Sequence, residues 1–153
     1  MANAHPRRLR ERGDAMKLKL HHVNFATTHV QAMDRFYRDV LDMQTMPGMD
    51  RTRVKDQGYP GDVAFVTDGA MQMHIAEKDM NIGFRTGQVV NPVQRGHLAF
   101  RTDDLDAFKK RLDDKGIKYS DFGDWAMTGW KQVFFYDPDG NVVEVHQAPV
   151  GAP

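Results

Sequence analysis

The chain contains no cysteine. Disulfides, zinc–thiolate sites and a cysteine nucleophile are therefore excluded, and any metal must be held by His, Asp or Glu. Net charge is also lacking, since 21 Lys and Arg balance 21 Asp and Glu. That removes the electrostatic case for nucleic acid or an anionic membrane as a partner. No apolar run approaches the ~20 residues needed to span a bilayer. The N-terminal stretch carries Arg7, Arg8, Arg10 and Arg12 without the apolar segment of a secretory signal. Residues 1–16 therefore read as a disordered tail, 149–153 as a second short tail, and the protein as cytoplasmic.

What is present suits one domain with a substantial core: 153 residues, 41% of them hydrophobic. The most informative stretch runs from Val133 to Gln147. It reads as two strands, Val133 to Tyr136 and Asn141 to His146, joined by a turn at Asp137-Pro-Asp-Gly140, where proline presets φ and glycine accepts a positive φ. Glu144 then falls mid-strand among valines. A carboxylate is costly to bury there unless a cation meets it, so either that face is wet or Glu144 holds a charge such as a metal ion.

The rest of the chain repeats a unit. Lys17 to Phe25 has period-two character and reads as a strand. Val30, Met33, Phe36, Tyr37, Val40 and Leu41 are spaced by threes and fours, which predicts an amphipathic helix over 30–43, with Thr27 or Thr28 as its cap. Met46 to Asp62, rich in glycine, proline and charge, is a loop with room for a short strand. Val63 to Val66 and Ala70 to Ala76 flank Thr67-Asp-Gly69, a hairpin signal. After a connection over 79–95 the pattern restarts, with a strand at Gly96 to Arg101 and a helix over 103–115, stopped by Gly116. Ile117 to Tyr119 and the closing hairpin complete the second unit. The fold class is therefore α+β: two βαβββ modules, 17–78 and 96–148, forming a curved eight-stranded sheet cleft with helices on the outer face.

The repeat selects candidate ligands. His22-Val-Asn-Phe25 aligns with His97-Leu-Ala-Phe100, and Val63-Ala-Phe65 with Val133-Phe-Phe135, which sets His74 opposite Glu144. Alternate strand residues share a face. His22, His74, His97 and Glu144 then point into the cleft, while Val23, Phe25, Met73, Ile75, Leu98, Phe100, Val143 and Val145 face the helices. Three histidines and a carboxylate, without thiolate, suit one divalent ion: Fe, Mn, Co, Ni or Zn. His146 shares the Glu144 face as a candidate acid–base or carboxylate-orienting residue. Asn24, Arg101, Trp130 and Lys131 are candidates for contact with a small-molecule substrate. His21 and His29 read as exposed strand and loop residues.

The opening Leu20-His-His-Val-Asn-Phe25, the helix start Met33-Asp-Arg-Phe-Tyr-Arg-Asp-Val-Leu41 and the closing Phe135-Tyr-Asp-Pro-Asp-Gly-Asn-Val-Val-Glu-Val145 resemble the vicinal oxygen chelate superfamily, also called the glyoxalase, bleomycin-resistance and extradiol dioxygenase group. The resemblance implies one ligand from the first and last strand of each module, which carries over as His22, His74, His97 and Glu144. It further implies a metal-dependent isomerase or lyase of the glyoxalase I kind, with Glu144 as the proton-transfer base, and a homodimer. The same group offers three alternatives: a non-haem Fe(II) dioxygenase using His22, His97 and Glu144, an epoxide-opening enzyme of the fosfomycin-resistance type, and a metal-free drug-binding protein. Glyoxalase I and methylmalonyl-CoA epimerase commonly have Glu or Gln where this chain has His74, which leaves Glu144 alone to move a proton.

Overall fold

The computed structural model describes residues 16–53, 55 and 58–153. The predicted N-terminal tail, apart from Met16, lies outside them; Met16 packs against the core rather than trailing free. In chain order the elements are β1 (Leu18–Thr27), α1 (Val30–Leu41), β2 (Gln44–Thr45), α2 (Met49–Thr52), β3 (Val63–Thr67), β4 (Gln72–Glu77), α3 (Ile82–Thr86), β5 (Gly96–Thr102), α4 (Leu105–Asp114), β6 (Tyr119–Asp124), β7 (Lys131–Tyr136) and β8 (Val142–Gln147).

The local signals work mostly as their chemistry dictates. Asp104 caps α4 by accepting the Ala107 amide, and Leu105, Phe108 and Leu112 are its buried stripe. At the β7–β8 turn the Asp137 carboxylate accepts the Asp139 and Asn141 amides at 2.9 Å each, and Gly140 takes φ 81°. The cap of α1 differs from expectation. His29 occupies that position without a side-chain cap bond, because Thr27 Oγ1 instead accepts the His29 amide at 3.0 Å.

All eight strands form one sheet in the order β2-β3-β4-β1-β5-β8-β7-β6. β1 pairs in parallel with β4, and β5 in parallel with β8. The two halves join where β1 meets β5 antiparallel. This junction needs glycine, since a Cβ on Gly96 would stand 2.0 Å from the Asn24 carbonyl oxygen. It also carries a β-bulge, because Leu20 pairs with Phe100 while His22 already pairs with Ala99. His21 is the extra residue, and the bulge switches which face the even-numbered side chains occupy.

The sheet curls until its two outer ends meet. The Thr128 amide donates to the Thr52 carbonyl at 2.9 Å, and Arg53 pairs with Met127. The Arg53 guanidinium donates to the carbonyls of Tyr59, Gly61 and Ala126, tying the two ends together. Residues from both halves then share the concave core: Met49, Tyr59 and Phe65 from the first, Trp125, Met127, Trp130 and Phe134 from the second. On the outer face α4 packs on β8, and α1 on β3 and β4. Among the described residues no helix covers the middle of the sheet, where Phe25 is 41% and Leu98 46% exposed. The expectation that every outer-face apolar residue lies under a helix holds for Ile75 and Val145, both buried, and fails for these two.

Candidate metal centre

The antiparallel junction places Asn24 directly opposite His97, and the parallel pairings set His74 beside Asn24 and Glu144 beside Ala99. His22, Asn24, His74, His97, Trp130 and Glu144 accordingly line one cavity in the concave face, of about 50 Å³. That volume has room for about four water-sized groups. Tyr59, Phe65, Trp125, Met127 and Phe134 form much of its apolar wall.

Within the cavity one carboxylate oxygen is the focus. Glu144 Oε2 lies 2.9 Å from His97 Nε2 and 3.6 Å from His22 Nε2. His97 Nδ1 lies 2.8 Å from the Pro92 carbonyl, which only accepts, so Nδ1 carries the proton and Nε2 keeps its lone pair. His22 Nδ1 lies 3.0 Å from His21 Nδ1. With His22 donating to His21 there, the His22 Nε2 lone pair also turns toward Glu144. The other carboxylate oxygen, Oε1, sits 2.7 Å from His146 Nδ1. That contact is bent, and both atoms are buried without a well-formed hydrogen bond. Asn24 Oδ1 is likewise buried and unpartnered.

Electrostatics follow from the burial. Desolvation holds His22 at about 4 despite the upward pull of Glu144. Burial also holds His74, and the partly buried His21, well below the usual histidine range. Burial by itself would raise Glu144, but His22, His146 and His97 hold it well below the usual carboxylate range. Glu144 is thus held in its ionised form, and burial disfavours the charged form of His22 and His74 beside it; deprotonated carboxylate and imidazole are the states in which a divalent cation is bound.

Among the described residues, two groups bring three ligand atoms within 4.8 Å of one another: His22, His97 and Glu144, and His21, His22 and His146. His74, expected as a fourth ligand, belongs to neither. Its ring stacks on His22 with centroids 3.8 Å apart, and its Nε2 lies 3.1 Å from Gln72 Oε1. His146 is buried against Trp130 and Glu144. Arg101 and Lys131 do not line the cavity. Arg101 lies behind His146, and Lys131 is exposed on the face that Val133 and Phe135 share. His21, expected to be exposed, turns inward because of the bulge. The sequence does carry that signal: Leu18 and Leu20 are even-numbered and Val23 and Phe25 odd-numbered, so the outward phase changes between them.

A profile described as the Glyoxalase/Bleomycin resistance protein/Dioxygenase superfamily matches residues 19–145. No curated protein matches significantly. Solved structures similar to this one include a hypothetical protein from Bacillus halodurans C-125, at 18% identity and TM-score 0.64, covering 89% of this chain and 98% of that one. A variant of Streptomyces coelicolor methylmalonyl-CoA epimerase in complex with 2-nitronate-propionyl-CoA is 21% identical with TM-score 0.60, covering 90% and 100%. The methylmalonyl-CoA epimerase of Mycobacterium tuberculosis is 21% identical with TM-score 0.60, covering 88% and 89%.

Proposed function

The chain belongs to the glyoxalase, bleomycin resistance and dioxygenase superfamily, and from that premise we propose a cytoplasmic metal-dependent isomerase or lyase whose small substrate presents two vicinal oxygens. The observation that carries this reading is the buried convergence of His22, His97 and Glu144 in the cavity of the concave face. The site fits a divalent ion by its donor chemistry: two imidazole lone pairs and an ionised carboxylate, with unpartnered polar atoms beside them. Such an ion supplies Lewis-acid polarisation of the substrate oxygens, which acidifies the adjacent C–H.

The remaining work belongs to the chain. His22 and His97, each with its far nitrogen held by a partner, fix the direction of the donor set. Glu144 accepts and returns the substrate proton, and His146 stands against its Oε1. Asn24 Oδ1 offers an acceptor to a substrate hydroxyl. Tyr59, Phe65, Trp125 and Phe134 exclude water from the reacting centre. The methylmalonyl-CoA epimerase structures similar to this one support the choice of an isomerase. Incubating the metal-loaded protein with small α-hydroxycarbonyls in heavy water tests it by deuterium uptake at the α-carbon, which Glu144→Gln should abolish.

A second reading has its own observation. With His74 outside the ligand group, His22, His97 and Glu144 form a two-His-one-carboxylate set, which suits an Fe(II) dioxygenase. Catechol-dependent oxygen uptake requiring Fe(II) would reverse this order.

We also propose a homodimer. Phe36, Val40 and Leu41 of α1 are 52%, 61% and 55% exposed, and α1 buries no residue of its own. Together with Phe25 and Leu98 they leave apolar surface that a partner would cover.

A further inference from the structure

The centre has two candidate groups that share His22, and one residue behind them decides between the two. His146 belongs to the group with His21 and His22, yet it also stands against Glu144 of the other group. Its far nitrogen, Nε2, accepts a hydrogen bond from Arg101 Nε at 3.0 Å. A neutral imidazole carries one proton, so acceptance at Nε2 puts that proton on Nδ1. An Nδ1 that carries a proton is no metal ligand, and this one faces the Glu144 Oε1 oxygen at 2.7 Å.

Arg101 is itself held in place. Its Nη1 donates to the Ala152 carbonyl at 3.0 Å and its Nη2 to the Pro153 carbonyl at 2.7 Å. The guanidinium lies 4.8 Å over the Trp130 ring, which in turn stacks on His146 at 4.5 Å. With Nε and both terminal nitrogens engaged, Arg101 is not a binder of substrate anions.

Building on the metal reading, we infer that Arg101 is a positioning residue: it fixes the His146 tautomer, so that His146 turns a proton rather than a lone pair toward Glu144 Oε1 and is unavailable as a ligand itself. The folded-back segment at Ala152 and Pro153 keeps Arg101 at this task. The residue acts without touching the cavity, which is why it is absent from the lining.

The test uses the full chain and Arg101→Met, which keeps an unbranched apolar side chain but loses every donor, with Arg101→Lys as the variant that retains one. Nitrogen-15 spectra of the histidine rings report the His146 tautomer in metal-free protein, and competition with a chelator reports Co(II) affinity. In wild type His146 is expected as the Nδ1–H tautomer. Arg101→Met should mix the tautomers and weaken Co(II) binding by about tenfold or more, while Arg101→Lys stays within about threefold of wild type. Unchanged tautomer or unchanged affinity in folded Arg101→Met would overturn the inference. Should Arg101→Met not fold, Arg101→Lys decides it: retention of the Nδ1–H tautomer with near wild-type affinity supports the inference, and a tenfold loss with the tautomer unchanged overturns it. Should wild type bind no Co(II), the metal reading fails separately, and the ring spectra still decide whether Arg101 sets the tautomer.

Discussion

The rings of His22 and His74 lie face to face with centroids 3.8 Å apart and planes 17° from parallel. In this arrangement His74 stacks on the His22 ring while its own Nε2 lies 3.1 Å from Gln72 Oε1. His74→Phe, which keeps a flat ring against His22, is therefore expected to lower divalent-ion affinity by less than about threefold, whereas His22→Phe should lower it by more than about tenfold. Titration of both variants with Mn(II) or Co(II) checks this. Equal losses would restore His74 as a fourth ligand.

Acid should destabilise the metal-free protein in a defined window. His22 takes up a proton at about 4 when folded and near 6.5 when unfolded. Between those values the unfolded chain binds more protons, so stability falls as pH drops through the window, by up to about 1.4 kcal/mol per pH unit for each such group. His74 and His21 shift in the same direction and steepen the slope. Urea midpoints measured from pH 7 to pH 4 should decline in wild type and decline less steeply in His74→Phe.

Gly96 sits where the two halves of the sheet are joined, at φ 112° and with no room for a Cβ beside the Asn24 carbonyl. Gly96→Ala combines an unfavourable backbone region with overpacking against main chain, and should cost about 3 kcal/mol or more. The loss would appear in the urea midpoint. Because Asn24 lines the cavity, ligand affinity should fall with it.

The exposed apolar face of α1 predicts association. Light scattering should give a dimer for wild type, and Phe36→Lys with Val40→Lys should shift it to monomer while leaving the far-UV spectrum unchanged. A wild-type monomer would remove the dimer from the account.

Much of this architecture is legible in the sequence because the repeat speaks twice. Matching His22 with His97 located both first strands, and the Asp137-Pro-Asp-Gly140 turn located the last hairpin without any knowledge of packing. Where the reading falls short, local chemistry is silent or misleading. The strand at Tyr119–Asp124 is an edge strand in which Ser120, Asp121, Gly123 and Asp124, residues with poor strand propensity, outnumber Tyr119 and Phe122, and its pairing with β7 and the packing of Phe122 on the core stabilise it. Ile117, expected in that strand, lies before it. The inward turn of His21 depends on a one-residue bulge, visible only as the phase change between Leu20 and Val23. The cavity-facing side was readable because strand alternation carries it; the contacts of Arg101 were not, because they depend on Ala152, Pro153 and Trp130 meeting it from elsewhere in the chain.

The central claim is that His22, His97 and Glu144 hold one divalent ion. Its most direct test is calorimetric titration of Co(II) into chelator-stripped wild type and Glu144→Gln, a substitution that keeps the shape of the side chain and removes its charge. The account predicts about one ion per chain in wild type and a loss of affinity of about tenfold or more in Glu144→Gln. Wild type that binds no ion, or a variant that binds as tightly as wild type, would contradict it.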